Sequence, residues 1–333
     1  MAFPIVAPSF LREYIDFDNP EKNAGLVRYV ISPHSVDYVL MLANPAVAKR
    51  LIEHTDPILF TMTDMSDEDS AKFSENAKAL IARYPNMQYY WQIRQLVMYI
   101  LQFKKLHFDR RLLIMNHAIG TVNGMITQFQ PNLIEGFAQN ITHTTDFSET
   151  LKYFEKVPII PPVSLAEGVS FLKAMFNTLK NMDDKTVYKK WKPFYERIYK
   201  GLGISGPETF TTADMKLYIP KRVAFGENFT NNRPHIMENI MINYLWALAT
   251  PFTDPELSVW DNFVFYITLY NAIKIYITLI EPADDDDLAS ALSAFDIALT
   301  EVSAGNAFLR STVSALKNQD SANNGDMAVI TLN

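Results

Sequence analysis

The sequence predicts a mainly α-helical protein with a large helical body and few short strands. Three observations lead to this fold class. Only 11 of the 333 residues are glycine, which argues against a fold rich in turns. Hydrophobic residues make up 48% of the chain, enough to fill one large core or two ordinary ones. Capping residues recur before amphipathic segments, which is typical of helices.

Most of the predicted helices begin at a capping residue or an N-terminal proline and carry an apolar stripe at helical spacing. Asn44 with Pro45 and Ser164 with Glu167 are clear start signals, and Pro131 ends one helix. Four aspartates precede the last predicted helix, where acidic groups suit the positive helix end. The predicted helices span residues 46–54, 66–82, 87–105, 110–129, 164–182, 183–200, 234–248, 255–280 and 287–302.

The most apolar window of the chain, residues 263–280, is close to the length needed to span a bilayer. Asn271 and Lys274 lie in its middle and Asp261 lies near its start, and such groups are costly in a membrane. We therefore predict a buried core helix rather than a membrane span.

The two ends of the chain differ from its helical middle. Residues 3–8 are apolar and interrupted by prolines, and a polar stretch at 318–326 precedes an apolar, strand-like run. Residues 216–225 alternate in polarity around a proline, which predicts an edge strand or an arm. The predicted segments are an extended N-terminal arm at 1–20, a helical lobe at 21–160, a second helical lobe at 161–317 with a buried apolar helix at 258–280, and a C-terminal tether with a strand-like arm at 318–333.

Composition excludes several kinds of chemistry. The chain has no cysteine, which rules out disulfides, thiolate catalysis and cysteine-based metal sites in this sequence. Its net charge of −7 disfavours a protein that coats nucleic acid along its whole surface. The six histidines are scattered, and none pairs with another at metal-ligand spacing. We predict no catalytic residue, no metal and no cofactor.

One glycine-rich segment, Gly201-Leu202-Gly203-Ile204-Ser205-Gly206, matches the dinucleotide-binding fingerprint by letter. The fingerprint requires a strand before it and a helix after it. Here an amphipathic helix precedes the glycines and Pro207 follows them. We therefore interpret the segment as a loop that ends a helix, with Gly201 in the left-handed capping conformation.

Basic and aromatic residues alternate between Lys185 and Lys200. Aromatic rings can stack on bases while cationic groups neutralise phosphates, so this segment is a candidate nucleic-acid surface. The alternative is an ordinary amphipathic helix that buries its rings and leaves its lysines in solvent. The residues predicted to face nucleic acid are Lys189, Lys190, Lys192 and Arg197, with Lys104 and Lys105 as a second basic group.

The organisation of the whole chain and its aromatic-rich region provide a resemblance. That region runs from Arg233-Pro234-His235 through Trp260-Asp261-Asn262-Phe263-Val264-Phe265-Tyr266. With its two arms, absent cysteine and mild acidity, the chain resembles the small capsid proteins of partitiviruses. The resemblance implies a mostly helical, dimeric building block of an icosahedral particle that encloses double-stranded RNA.

Our leading hypothesis is accordingly a non-enzymatic, self-assembling capsid subunit, located in a virion that assembles in the host cytoplasm. Its partners would be copies of itself and, weakly, an RNA genome, with no membrane and no small-molecule substrate. One alternative is a helical nucleoprotein that stacks single-stranded RNA on Trp191 or Tyr195. Another is an all-helical enzyme or small-molecule binder, with His117 beside Asn116 or Asn123 as nominees. The predicted assembly-arm residues are Phe3, Ile5, Val6, Val329, Ile330 and Leu332.

Overall fold

The computed structural model confirms the predicted mainly α fold. All regular secondary structure in the described part of the chain is helical, and none of it is strand. The residues predicted to form the assembly arms lie outside that part, and so do Lys104 and Lys105, which were predicted to face nucleic acid. The structure describes residues 78–79, 81–102, 106–130, 132–134, 136–137, 164–206, 215–233, 236–237, 240–241, 244–245, 248, 250–303 and 307–320.

Nine α-helices, a 3-10 helix and a π-helical turn are bounded within the described ranges. The 3-10 helix Pro85–Tyr89 leads directly into the first α-helix. The α-helices are α1 Tyr90–Gln102, α2 Phe108–Thr127, α3 Ser164–Asn181, α4 Thr186–Leu202, α5 Met215–Lys221, α6 Glu227–Asn232, α7 Val259–Ile280, α8 Asp285–Ser303 and α9 Ala307–Asp320. The π-helical turn Arg222–Gly226 joins α5 to α6.

Helix α7 is the centre of the fold. Ser258 caps its start by accepting a hydrogen bond from the backbone N–H of Asp261 at 3.0 Å. Every residue of α7 except Trp260 and Lys274 is buried, because α2, α3, α4 and α9 all pack against it. By length and composition α7 could cross a membrane, yet 94% of its most apolar window is buried inside the protein. The prediction of a buried core helix is confirmed.

Helix α4 has one buried aromatic face and one basic face. Trp191, Tyr195 and Ile198 are buried, and the ring of Tyr195 stacks on Phe176 with ring centres 4.0 Å apart. Phe194 packs partly buried against the same core. The amphipathic alternative is therefore confirmed. The expectation that Trp191 or Tyr195 could stack on bases is wrong, since both rings lie inside the protein.

Arg197, on the partly buried border of α4, connects the end of α7 to the start of α8. Its guanidinium donates to the carbonyl oxygen of Ile280 at 2.7 Å and to both carboxylate oxygens of Asp287 at 2.8 and 3.0 Å. The hydrogen bond from Arg197 lowers the pKa of Asp287 below its ordinary value. This fork satisfies a carbonyl at the C-terminus of one helix and places an anion in the first turn of the next.

The glycines at the end of α4 have different roles from those predicted. Gly203, not Gly201, adopts the left-handed conformation, with φ of +71°, and its N–H caps the helix by donating to Tyr199 and Lys200. Gly201 is required for close packing instead. A Cβ built on Gly201 would lie 2.9 Å from the carbonyl oxygen of Leu279 in α7. Helix α4, and not a strand, leads into these glycines, so the segment matches the dinucleotide-binding fingerprint in sequence but not in structure.

Residues 216–225, predicted as an edge strand or arm, are helical. Tyr218 of α5 is buried in the core, whereas Leu217 and Val223 are about half exposed. Pro220 lies inside the helix and lacks the N–H that a regular turn needs, and the chain widens into the π-helical turn directly after it. Helix α9 was also missed as a helix, and it extends to Asp320, beyond the predicted start of the tether at 318.

The two helical glycines Gly201 and Gly124 provide a matched stability test. We expect Gly201→Ala to lower the free energy of unfolding by roughly 1–3 kcal/mol, because the new methyl group meets backbone that cannot move aside. Gly124→Ala should raise it by roughly 0.5–1 kcal/mol, since a Cβ there meets nothing within 4 Å and alanine favours helix. Urea denaturation followed by circular dichroism measures both. Equal effects of the two substitutions would contradict the close approach of α4 to α7.

Candidate functional site

The candidate site lies where the first turn of α2 meets the middle of α7. His107, Asp109, Tyr270 and Lys274 come together there, and we call these four residues the α2–α7 cluster. It combines three different ionisable side chains around one carboxylate. The described residues, this cluster included, contain no group of three or more histidine, aspartate or glutamate side chains that could hold a metal ion.

Local sequence places each member of the cluster. His107 is the N-cap of α2, and its Nδ1 accepts a hydrogen bond from the backbone N–H of Asp109 at 3.4 Å. Asp109 occupies the first turn of α2, where the helix dipole favours a negative charge. Tyr270 and Lys274 are four residues apart on α7, so they lie on the same face of that helix.

Asp109 is the hub of the cluster. The hydroxyl of Tyr270 donates a short hydrogen bond to Oδ1 of Asp109. Nζ of Lys274 lies 3.4 Å from Oδ2 of the same carboxylate, and Nδ1 of His107 lies 3.7 Å from it. The ammonium of Lys274 is also 5.1 Å from the centre of the Tyr270 ring. A cation at this point therefore has a carboxylate and an aromatic face as neighbours.

The aromatic wall continues into α2. The rings of Phe108 and Tyr270 meet at a steep angle with ring centres 5.7 Å apart, and the guanidinium of Arg111 lies 5.1 Å from the centre of the Phe108 ring. A side-chain N–H of Arg111 donates a short hydrogen bond to the carbonyl oxygen of Leu101 in α1. The cluster is thus held by three helices, which fixes the geometry around the Asp109 carboxylate.

The surroundings set the charge state of Asp109 and Tyr270. Burial alone would raise the pKa of Asp109, but attraction to Lys274, the hydrogen bond from Tyr270 and attraction to His107 outweigh it, so this pKa lies below its ordinary value. Burial and the neighbouring Asp109 hold the pKa of Tyr270 well above its ordinary value. Near neutral pH the site therefore contains a carboxylate anion and a neutral phenol that donates to it.

The cluster is open on one side. The side chain of Asp109 is 13% exposed and that of Lys274 is 19% exposed, whereas that of His107 is 44% exposed. Solvent and ligands can therefore approach from the His107 side. The arrangement holds one cationic amine, that of Lys274, against Asp109 and Tyr270, and the more exposed His107 lies beside the same carboxylate.

The residues predicted to face nucleic acid are not gathered at this cluster. Lys189, Lys190 and Lys192 are exposed on α4, and Lys192 lies 3.4 Å from Glu196. Their role in binding stays a prediction. Of the nominees for an enzyme site, His117 is exposed, and the side-chain oxygen of Asn123 accepts a hydrogen bond from the backbone N–H of Trp260. Neither is a member of the cluster.

Sequence reasoning missed the cluster, although it noticed one of its members. Lys274 stood out as a charge within an apolar window, and it was weighed only against a membrane span. Asp109 lies two residues after His107, but its partners Tyr270 and Lys274 are more than 160 positions away along the chain. Only the packing of α2 on α7 brings them together.

A comparison with known families decides what kind of protein this is. Residues 94–330, well over half of the chain, match the model described as FliB lysine N-methylase C-terminal domain. The chain belongs to this family. All four residues of the α2–α7 cluster lie within the matched range. Comparisons with curated proteins and with solved structures found no match.

Membership of this family overturns the leading hypothesis. The chain is not a partitivirus capsid protein, because the matched family is that of a lysine N-methylase domain. The predictions of a non-enzymatic protein, a shell of identical subunits, an RNA genome as partner and a virion location are wrong for the same reason. The resemblance rested largely on overall composition and on the two terminal arms, and neither feature is specific to capsid proteins. The alternative of an all-helical enzyme agrees better with the family.

Asp109→Asn tests the electrostatic role of the hub. Because the folded state lowers the pKa of Asp109, its carboxylate stabilises the fold above the ordinary aspartate pKa of about 3.9, and this contribution disappears as pH falls through the lower folded-state value. We expect the variant to unfold more easily at pH 7, by roughly 1–3 kcal/mol. The difference from the natural protein should shrink at pH 3.

Urea denaturation at pH 7, 5 and 3 measures this difference. Asp183→Asn is the matched control, because Asp183 is exposed and lies far along the chain from the cluster. It should leave the urea midpoint unchanged at each pH. A constant deficit of Asp109→Asn from pH 7 to pH 3 would show that the loss comes from packing rather than from charge.

Proposed function

We propose that this chain takes part in the N-methylation of lysine side chains and that the α2–α7 cluster holds the amino group to be methylated. The observation that carries the proposal is the family match, which spans residues 94–330 and includes the whole cluster. The geometry supports the amine half of the reaction. Substrate lysines carry a primary ammonium, and the cluster already places such a group against a carboxylate and an aromatic ring.

The chemistry of the acceptor suits the cluster. A lysine nitrogen can accept a methyl group only after it loses a proton, because the ammonium has no free electron pair. Asp109 and the face of Tyr270 would attract and orient the incoming ammonium. His107 lies beside the same carboxylate and is the most exposed of the three side chains that contact it, so a proton released by the amine can pass to solvent on that side. Tyr270 stays protonated and fixes Asp109 through its hydrogen bond.

A methyl donor is the second substrate of such a reaction. Biological sulfonium donors are cations, and an ionised carboxylate beside an aromatic face suits a cation of that kind. The described residues do not form the strand, glycine turn and helix that cradle nucleotides in many donor sites, since the segment from Gly201 to Gly206 follows a helix. We therefore assign only the amine side of the reaction to named residues.

The test is methyl transfer to an acceptor protein. Purified full-length chain is incubated with S-adenosylmethionine carrying a labelled methyl group and with flagellin as the first acceptor. We expect label on acceptor lysines and a loss of at least about tenfold in rate for Asp109→Asn, which corresponds to about 1.4 kcal/mol in the transition state. Tyr270→Phe keeps the ring and removes only the hydrogen bond to Asp109, so its transfer rate should fall less than that of Asp109→Asn.

The control variant is again Asp183→Asn, which should transfer label at the natural rate. Circular dichroism of each variant shows whether it is folded under the assay conditions. Transfer by folded Asp109→Asn at the natural rate would remove the cluster from the proposal. Absence of transfer by the natural protein to any lysine, its own included, would overturn the proposed function itself.

A further inference from the structure

We infer that Lys274 is itself a site of methylation, modified by the same chain that contains it. The inference rests on the proposed function, because it assigns an internal acceptor to the same amine position. Lys274 lies in the place where a substrate ammonium would bind, 3.4 Å from Asp109 and 5.1 Å from the Tyr270 ring centre. It is a substrate analogue built into the core helix.

The position of Lys274 on α7 is unusual for a lysine. Every other residue of α7 except Trp260 is buried, and most of them are apolar. Partial burial of an ammonium costs free energy unless a carboxylate compensates for it. A leucine or methionine would fill the same space without that cost. The sequence nevertheless places a primary amine within reach of Asp109.

Other described lysines have different surroundings. Lys192 pairs with Glu196 on the exposed face of α4, and Lys221 pairs with Glu281 at the surface. Lys185 donates to backbone carbonyl oxygens of Lys180 and Met182. Lys274 instead combines a carboxylate contact with an aromatic-face contact, and its side chain is 19% exposed. These lysines are therefore internal comparisons in the same molecule.

The surroundings also limit the product. Methylation keeps the positive charge of a lysine but replaces its N–H donors one at a time. The contact with Asp109 needs at least one remaining N–H, and added methyl groups would lie against the Tyr270 ring, where a cation is favoured. A trimethylated Lys274 would have no donor for Asp109. We therefore expect monomethyl or dimethyl Lys274 rather than the trimethyl form.

The transfer step balances as a displacement. The Lys274 ammonium first loses a proton to solvent water, which reaches its partly exposed side chain. The free electron pair of Nζ then forms a bond to the methyl carbon of a sulfonium donor. The bond from that carbon to sulfur breaks, and its electron pair stays on sulfur, so that a neutral thioether leaves. Nζ carries the positive charge afterwards.

The experiment locates labelled methyl groups on the natural protein. Full-length chain is incubated with S-adenosylmethionine carrying a trideuterated methyl group, with flagellin present in a parallel sample, and proteolytic fragments are analysed by mass spectrometry. We expect a gain of one or two labelled methyl groups on Lys274 and none on Lys192 or Lys221. The fraction modified per unit time should not change over a tenfold range of protein concentration, because the acceptor belongs to the same molecule.

Two variants distinguish self-methylation of Lys274 from labelling by a contaminating methylase and from effects of misfolding. Lys274→Arg keeps a cation beside Asp109 and should remove the label while preserving the circular dichroism spectrum. Asp109→Asn keeps Lys274 but loses the carboxylate, so the label at Lys274 should fall at least about tenfold. A contaminating methylase would label Lys274 equally in both the natural protein and Asp109→Asn, which would overturn the inference.

The outcomes for the two proposals are distinguishable. Label on flagellin with none on Lys274 would overturn self-methylation and leave the proposed function standing. Label on neither would overturn both, and label on Lys192 or Lys221 to the same extent as on Lys274 would show non-specific transfer. Intact mass of the protein as isolated from its own cells provides a readout without added donor, and Lys274 should already carry methyl groups there.

Discussion

The burial of α7 on all sides is the constraint on which the rest of the fold depends. An apolar helix that is enclosed in this way must find a partner for each polar group it carries, because water is excluded. The hydroxyl of Tyr266 donates to the carbonyl oxygen of Met241 at 2.7 Å, and that of Tyr276 donates to Ala291 at 2.8 Å. The amide of Asn262 exchanges hydrogen bonds with the backbone of Asp254. Each contact fixes a different neighbour around α7, and Tyr270 with Lys274 fixes α2 by the same principle.

The same enclosure determines the charge state of the core. Burial raises the pKa of Tyr266, Tyr270 and Tyr276 above the ordinary value, and it raises that of Tyr218 to about 12. These phenols therefore remain neutral at any physiological pH. Asp109 is different, because its neighbours lower its pKa despite burial. The α2–α7 cluster thus keeps Asp109 ionised beside a neutral phenol, which is why a cation is attracted to this point.

Much of the fold could be predicted from the sequence, because its strongest signals are local. The length and apolar character of α7, the capping box of α3 and the amphipathic pattern of α4 all lie within single segments. The segment 216–225 misled because alternation around a proline suits an edge strand as well as a helix that widens into a π turn. The left-handed cap found at Gly203 was predicted two residues early, at Gly201, since either glycine could end the helix by sequence alone.

The candidate site could not be predicted from the same kind of signal. Asp109 is unremarkable in its own segment and Lys274 stands out only as a charge in an apolar window, and their meeting depends on how α2 crosses α7. The functional class was likewise hidden, since composition, terminal arms and absent cysteines are shared by many unrelated proteins. Only the family match across residues 94–330 carries that information. Local sequence patterns predict individual helices. A site formed between helices that are distant in the sequence can be predicted only when the packing of those helices is known.

The two roles of Lys274 conflict with each other. As the partner of Asp109 it compensates a largely buried anion, and as an occupant of the amine position it would have to leave when an acceptor lysine arrives. The conflict is resolved by the other members of the cluster. Tyr270 continues to donate to Oδ1, and His107 remains beside Oδ2, so Asp109 is never left without a partner. An incoming ammonium would replace one cation by another, which keeps the charge of the site constant while its occupant changes.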